Sequence, residues 1–95
     1  MQISDFQEMM KTIYYQRDSE RGWKGTFSWL MDEVNELREA LEGTDKAAVE
    51  NEFADVIAWL ASLANVVNVD LEKAALNKYP NRCSKCNKSP CECAV

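Results

Sequence analysis

The chain has 95 residues, of which 46% are hydrophobic and 28% charged, a balance typical of one globular domain and not of a disordered segment. Its net charge of −5 argues against binding to duplex nucleic acid, which requires a basic surface to neutralise phosphates. The N-terminus has no basic region followed by an apolar run, and the most apolar stretch, 53–67, is shorter than a membrane span. We therefore expect a cytoplasmic protein with no membrane partner.

The first half of the chain predicts two helices, because apolar residues recur there at three- and four-residue spacing. The first predicted helix has Ser4 as its N-cap, in a capping box with Gln7, and ends at Gly22. A short link, 22–25, leads to Thr26 as the N-cap of a second helix, which ends at Gly43.

The second half predicts two more helices. Thr44 is the predicted N-cap of a third helix, which extends to about Val67. Asp70 is the predicted N-cap of a fourth helix, which ends near Tyr79 because Pro80 follows. Short links predict that consecutive helices lie antiparallel. The expected fold is all-α, an antiparallel bundle of about four helices without strands.

The third predicted helix carries more apolar surface than one packing face requires. Its apolar residues include Ile57, Leu60, Ala61 and Ala64. A small helical core cannot cover all of them, so burial against another subunit is the simplest arrangement. We therefore predict an oligomer, either a homodimer or a homotetramer.

Two acidic pairs lie on the second and third predicted helices: Glu33 with Glu36, and Glu52 with Asp55. Residues three apart share one side of a helix, so an antiparallel hairpin can bring both pairs together. Converging carboxylates repel one another unless a cation lies between them, and oxygen ligands of this kind suit Mg²⁺ or Mn²⁺. Asp55 is the most informative residue, because burying an acid among packing residues is costly without a partner. The alternative is an ordinary solvated acidic face.

These motifs resemble those of a known family. The order E-x-x-E, fifteen residues, E-x-x-D, within DEVNELREAL and ENEFADVIAWL, resembles the MazG-like family of all-α nucleoside triphosphate pyrophosphohydrolases. The resemblance covers about 23–82, although Asp32 precedes Glu33 where the family often has two consecutive Glu. It implies that a nucleoside triphosphate is cleaved between its α and β phosphates, with Mg²⁺ held by the four carboxylates. Clearing of non-standard nucleotides is a role that the family suggests.

The resemblance also suggests roles for individual residues. Glu33 or Glu36 is the candidate general base for a metal-bound water. The candidate phosphate contacts at the end of the fourth helix are Asn77, Lys78 and Arg82. Their alternative role is that of cations favoured at a helix C-terminus. Trp23 is a candidate for stacking on a base, with Lys24 beside it, and its alternative role is packing.

All four cysteines lie near the C-terminus, as Cys83-x-x-Cys86 and Cys91-x-Cys93. This pattern predicts a Cys₄ zinc site of structural type in a tail, 83–95, that follows a helical domain of residues 1–82. Disulfides and an unliganded tail are the alternatives, and an intracellular setting disfavours the first. If the chain is not an enzyme, it is a helical interaction module that docks a partner through this knuckle.

Overall fold

The computed structural model describes residues 1–94, and within that range it contains three helices and no strand. They are α1 (Ile3–Glu42), α2 (Lys46–Val66) and α3 (Leu71–Lys78). The all-α class is confirmed, whereas the number of about four helices is not.

In the described part of the chain, no single helix is long and apolar enough to cross a membrane. Only α2 and α3 taken together have the length and composition of a membrane-spanning segment, and they are bent by 100°. Val95, the last residue of the predicted tail, lies outside the described residues.

The number of helices differs because α1 continues through the predicted link at 22–25. Gly22 alone leaves the helical conformation, with φ 78° and ψ 172°, and it kinks the helix. Glycine reaches this left-handed region without the steric cost of a Cβ, so the predicted interruption is present. Thr26, however, is a fully buried residue inside the helix and not an N-cap.

A polar cluster holds the two sides of the kink together. Arg21 Nη1 donates to Asp18 Oδ1 at 2.8 Å and to Thr26 Oγ1 at 3.4 Å. Asp18 and Thr26 are both buried, so each needs a partner inside the protein. These contacts explain why the helix resumes directly after Gly22.

Of the other three predicted helix caps, two are wrong by one or two residues. Gln2, not Ser4, is the N-cap of α1, and its backbone N–H donates to Asp5 Oδ2 at 2.8 Å. Asp45, next to the predicted Thr44, is the N-cap of α2 and accepts from two backbone N–H groups. The predicted cap of α3, Asp70, is confirmed by its bond from Lys73 N at 3.0 Å.

Gln7, the predicted partner of Ser4 in a capping box, instead ties the start of α1 to the link between α2 and α3. Its Nε2 donates to Asn65 Oδ1 at 3.1 Å and to the Val69 carbonyl at 2.7 Å. Its Oε1 accepts from Leu71 N at 3.0 Å. A side chain that satisfies three tertiary partners is not available for a local cap.

Helix α1 runs antiparallel to α2, as predicted, but α2 and α3 are bent by 100°, so the prediction that consecutive helices lie antiparallel is wrong for that pair. Gln7 meets Asn65 near the C-terminal end of α2, while Trp29, in the second half of α1, stacks on Trp59. The two indole centroids are 5.6 Å apart and nearly parallel. The buried apolar residues of the described chain are few: Met10, Leu30, Ala61 and Ala64. Antiparallel packing therefore places the acidic part of α1 beside the first half of α2.

Candidate metal centre

Three of the four predicted carboxylate ligands converge where α1 packs on α2. Glu33 and Glu36 come from α1 and Glu52 from α2, and each offers an oxygen within 4.8 Å of the other two. The pair on α1 shares one side of the helix because its members are three residues apart. The antiparallel partner supplies the third carboxylate, so the predicted convergence is present in the fold.

Two oxygens of this cluster are buried without a partner. Among residues 1–94, nothing donates a hydrogen bond to Glu33 Oε2 or to Glu52 Oε2. A buried carboxylate oxygen that lacks a donor costs free energy. A cation between the carboxylates removes this cost, and oxygen ligands suit Mg²⁺ or Mn²⁺. The donor set therefore fits a hard divalent metal ion.

The cluster also changes the proton affinity of Glu33. Burial, and then the hydrogen bond with Glu36 and the charges of Glu36, Asp55 and Glu52, raise the pKa of Glu33 from 4.5 to about 7. Each cause disfavours the ionised carboxylate. A bound cation favours the ionised form instead, so protons and metal compete for the same oxygens.

We predict that the metal-free protein loses stability as the pH rises from about 4.5 to about 7. In this window the folded protein still holds a proton on Glu33, whose pKa is about 7, while the unfolded chain has released it. The free energy of unfolding therefore falls as the pH increases. Thermal unfolding in chelator across this range measures the slope, which should be smaller in Glu33→Gln. An equal slope in the variant contradicts the assignment.

Asp55, the fourth predicted ligand, lies outside the 4.8 Å cluster but close enough for its charge to raise the pKa of Glu33. It is half-buried and lines an adjacent cavity of about 300 Å³ together with Arg17, Arg21 and Trp59. The Arg21 guanidinium lies 4.9 Å from the centre of the Trp59 ring.

The two arginines of this cavity, Arg17 and Arg21, were not among the predicted site residues. They lie more than thirty residues before Asp55, and no local motif links them to it.

The predicted substrate contacts lie on exposed surface. Trp23 follows the kink and is 52% exposed, and Lys24 Nζ is 5.7 Å from the centre of its ring. Asn77 and Lys78 are in the last turn of α3, and Arg82 is in the segment after it. Within residues 1–94, no hydrogen bond or ion pair joins any of these five to the carboxylates.

The four cysteines come together in the C-terminal segment. One sulfur from each of Cys83, Cys86, Cys91 and Cys93 lies within 4.8 Å of the other three. The Cys83–Cys93 and Cys86–Cys91 sulfur separations are 3.7 and 3.9 Å, well beyond a disulfide bond of about 2.05 Å. All four are free thiols in the described chain.

An all-α fold with carboxylates converging between antiparallel helices defines a class of helical proteins with a candidate divalent-metal centre. The family model described as the MazG nucleotide pyrophosphohydrolase domain matches residues 22–87, more than half of the chain. The chain therefore belongs to the MazG family. No curated protein matches it significantly. The matched range includes the four acidic residues but excludes Arg17, Arg21, Cys91 and Cys93.

Proposed function

We propose that the protein is a Mg²⁺-dependent nucleoside triphosphate pyrophosphohydrolase that converts a triphosphate and water into the monophosphate and pyrophosphate, with Mn²⁺ as the alternative ion. Family membership supports nucleotide pyrophosphohydrolase activity in general. The convergence of Glu33, Glu36 and Glu52 is the observation that carries the metal-dependent mechanism. A triphosphate is highly anionic, so acidic side chains bind it only through bridging cations. Its proposed role is removal of surplus or non-standard nucleotides in the cytoplasm.

In this mechanism the carboxylates divide into ligands and a base. When bound, the metal neutralises charge on the phosphates and lowers the pKa of a water. Glu33 and Glu52 are proposed ligands, because each has a buried oxygen without a donor, and Asp55 is proposed as a third. Glu36 is exposed and can pass a proton to solvent, which favours it over Glu33 as the general base.

Substrate contacts are proposed in the cavity beside Asp55 and on exposed surface. Arg17 lines the cavity beside Asp55, and a guanidinium suits phosphate oxygens because it donates several hydrogen bonds in a plane. The contacts suggested by the family resemblance remain proposals: Asn77, Lys78 and Arg82 for the phosphates, and Trp23 with Lys24 for the base.

The activity is tested by incubating the protein with a panel of ribo- and deoxyribonucleoside triphosphates and Mg²⁺. Release of pyrophosphate and monophosphate, abolished by chelator, is the expected result. Release of orthophosphate would place the cleavage at another bond. If no triphosphate in the panel is hydrolysed with either Mg²⁺ or Mn²⁺, the alternative of a helical interaction module is favoured.

We also propose that the chain forms a homodimer or a homotetramer through α2. Phe53, Ile57 and Leu60 are 56, 46 and 41% exposed, and their spacing of four and three places them on one side of the helix. Of the residues predicted as excess apolar surface, Ala61 and Ala64 are buried within the chain, whereas Ile57 and Leu60 are not. A second copy is the partner that would cover this stripe.

We predict that Leu60→Glu converts the oligomer into monomers, because the new charge would have to be buried without a partner in the interface. Asn51→Glu is the matched control, since nine residues place it on the opposite side of α2. Sedimentation velocity on the two variants should show a monomer for the first and the native oligomer for the second. A wild-type protein that sediments as a monomer at all concentrations would contradict the proposal.

A further inference from the structure

The segment 83–93 has a geometry that the carboxylate centre does not explain. We infer that its four cysteines form a tetrathiolate site for one Zn²⁺. A tetrahedral ion with sulfur ligands at 2.3 Å sets neighbouring sulfurs about 3.8 Å apart. The Cys83–Cys93 and Cys86–Cys91 separations of 3.7 and 3.9 Å agree with this edge length. The sulfurs are thus spaced for a single central ion.

Backbone donors are directed at the same sulfurs. Three sulfurs accept N–H groups: Cys83 from Lys85 at 3.4 Å, Cys86 from Glu92 at 3.4 Å, and Cys91 from Cys93 at 3.3 Å. Donors in these positions stabilise negative charge on sulfur, and the thiolate is the form that binds metal. The chain around the cluster is therefore arranged for ligating sulfurs.

The turn after the first cysteine pair has the conformation that brings both sulfurs to one point. Asn87, directly after Cys86, has φ 62°, in the left-handed region that Asn adopts more readily than most residues. Its N–H donates to the Cys83 carbonyl at 3.0 Å, and Cys83 N donates to the Lys88 carbonyl at 3.0 Å. These two bonds close the loop that carries the first pair of ligands.

The composition of the segment explains why it needs a metal. None of residues 79–94 is buried, so there is little apolar packing to hold this part of the chain in one conformation. Metal binding can supply the free energy of ordering instead. Four thiolates and one Zn²⁺ carry a net charge of −2. Three basic residues close to the cysteines in sequence can offset this charge: Arg82, Lys85 and Lys88.

The chemistry also separates this site from the carboxylate centre. Thiolates prefer zinc over magnesium, while carboxylate and water ligands suit magnesium. Four sulfurs complete the tetrahedral shell and leave no position for water, so the zinc would be structural and not catalytic. The two sites therefore bind different ions, and zinc binding can be measured without any assay of hydrolysis.

The test uses the full chain purified under reducing conditions from cells supplied with zinc. Elemental analysis should find one zinc per chain, and Co²⁺ exchanged into the site should give sulfur-to-cobalt charge-transfer bands and the visible bands of tetrahedral cobalt. Cys91→Ser/Cys93→Ser should lose both. Ser84→Ala/Ser89→Ala, changed within the same loops, and Glu52→Gln should keep them.

Several results would overturn the inference. One is iron as the bound metal in the zinc-supplied protein. Another is full zinc retention by Cys91→Ser/Cys93→Ser. A third is loss of zinc from Glu52→Gln while the cysteine variant retains it. Wild-type protein without any metal after zinc supply and reduction would overturn it as well.

Discussion

Glu52→Gln should lower the proposed Mg²⁺-dependent hydrolysis by on the order of 100-fold or more, because removal of a proposed metal ligand forfeits several kcal/mol of transition-state stabilisation. The helical fold should persist, since the substitution preserves the size of the side chain and removes one buried oxygen that lacks a donor. In metal-free buffer the variant should even unfold at a higher temperature than the wild type, because one of three converging charges is gone. Steady-state kinetics, circular dichroism and thermal unfolding in chelator provide the three measurements.

Glu50→Gln is the matched control for this variant. It removes the same charge from the same helix two residues earlier, but Glu50 is exposed and outside the carboxylate cluster. Its activity and its stability in chelator should equal those of the wild type. Equal activity of the two variants would exclude Glu52 from the metal centre, and unfolding of Glu52→Gln alone would show that this carboxylate has a structural role instead.

Arg21→Met should destabilise the protein by about 3–5 kcal/mol, because it leaves Asp18 buried without its cation. Asp18 is 2% exposed, and its 2.8 Å bond to Arg21 is its ion pair among the described residues. In a domain of this size, such a loss lowers the midpoint of thermal unfolding by more than about 10 °C. Calorimetry at neutral pH measures the difference.

The double variant Asp18→Asn/Arg21→Met separates charge from packing. It removes both charges at once, so it should recover a large part of the stability that Arg21→Met loses. Arg38→Met is the control for loss of a surface ion pair, since the Arg38 and Glu42 side chains are 3.9 Å apart and both highly exposed. It should change the stability by less than about 1 kcal/mol. If Arg21→Met is equally mild, the cluster at the kink does not stabilise the fold.

The carboxylate cluster could be predicted because it depends on short-range rules. Helical periodicity places Glu33 and Glu36 on one side, and a short link makes the next helix antiparallel, which brings Glu52 opposite. The end of α2 and the cap at Asp70 followed from equally local signals.

Other features depend on side-chain contacts that the local signals of helix ends and caps do not reveal. Gly22 and Thr26 carry the local signals of a helix end and a helix start, yet Arg21 bridges Asp18 and Thr26 and keeps α1 continuous beyond the kink. The amide of Gln7 fits a local cap by its spacing from Ser4, but partners more than fifty residues away bind it. A buried polar cluster decided the kink, and the partners that decided the role of Gln7 lie outside any local window of the sequence.

The stacked indoles of Trp29 and Trp59 provide an intrinsic spectroscopic probe of the packing between α1 and α2. Each lies one helical turn from a proposed metal ligand, Trp29 before Glu33 and Trp59 after Asp55. At a centroid separation of 5.6 Å the electronic transitions of the two rings couple, so their near-ultraviolet spectrum reports the distance between α1 and α2. Any ligand that draws the two helices together at the carboxylates thereby changes a signal that requires no added dye.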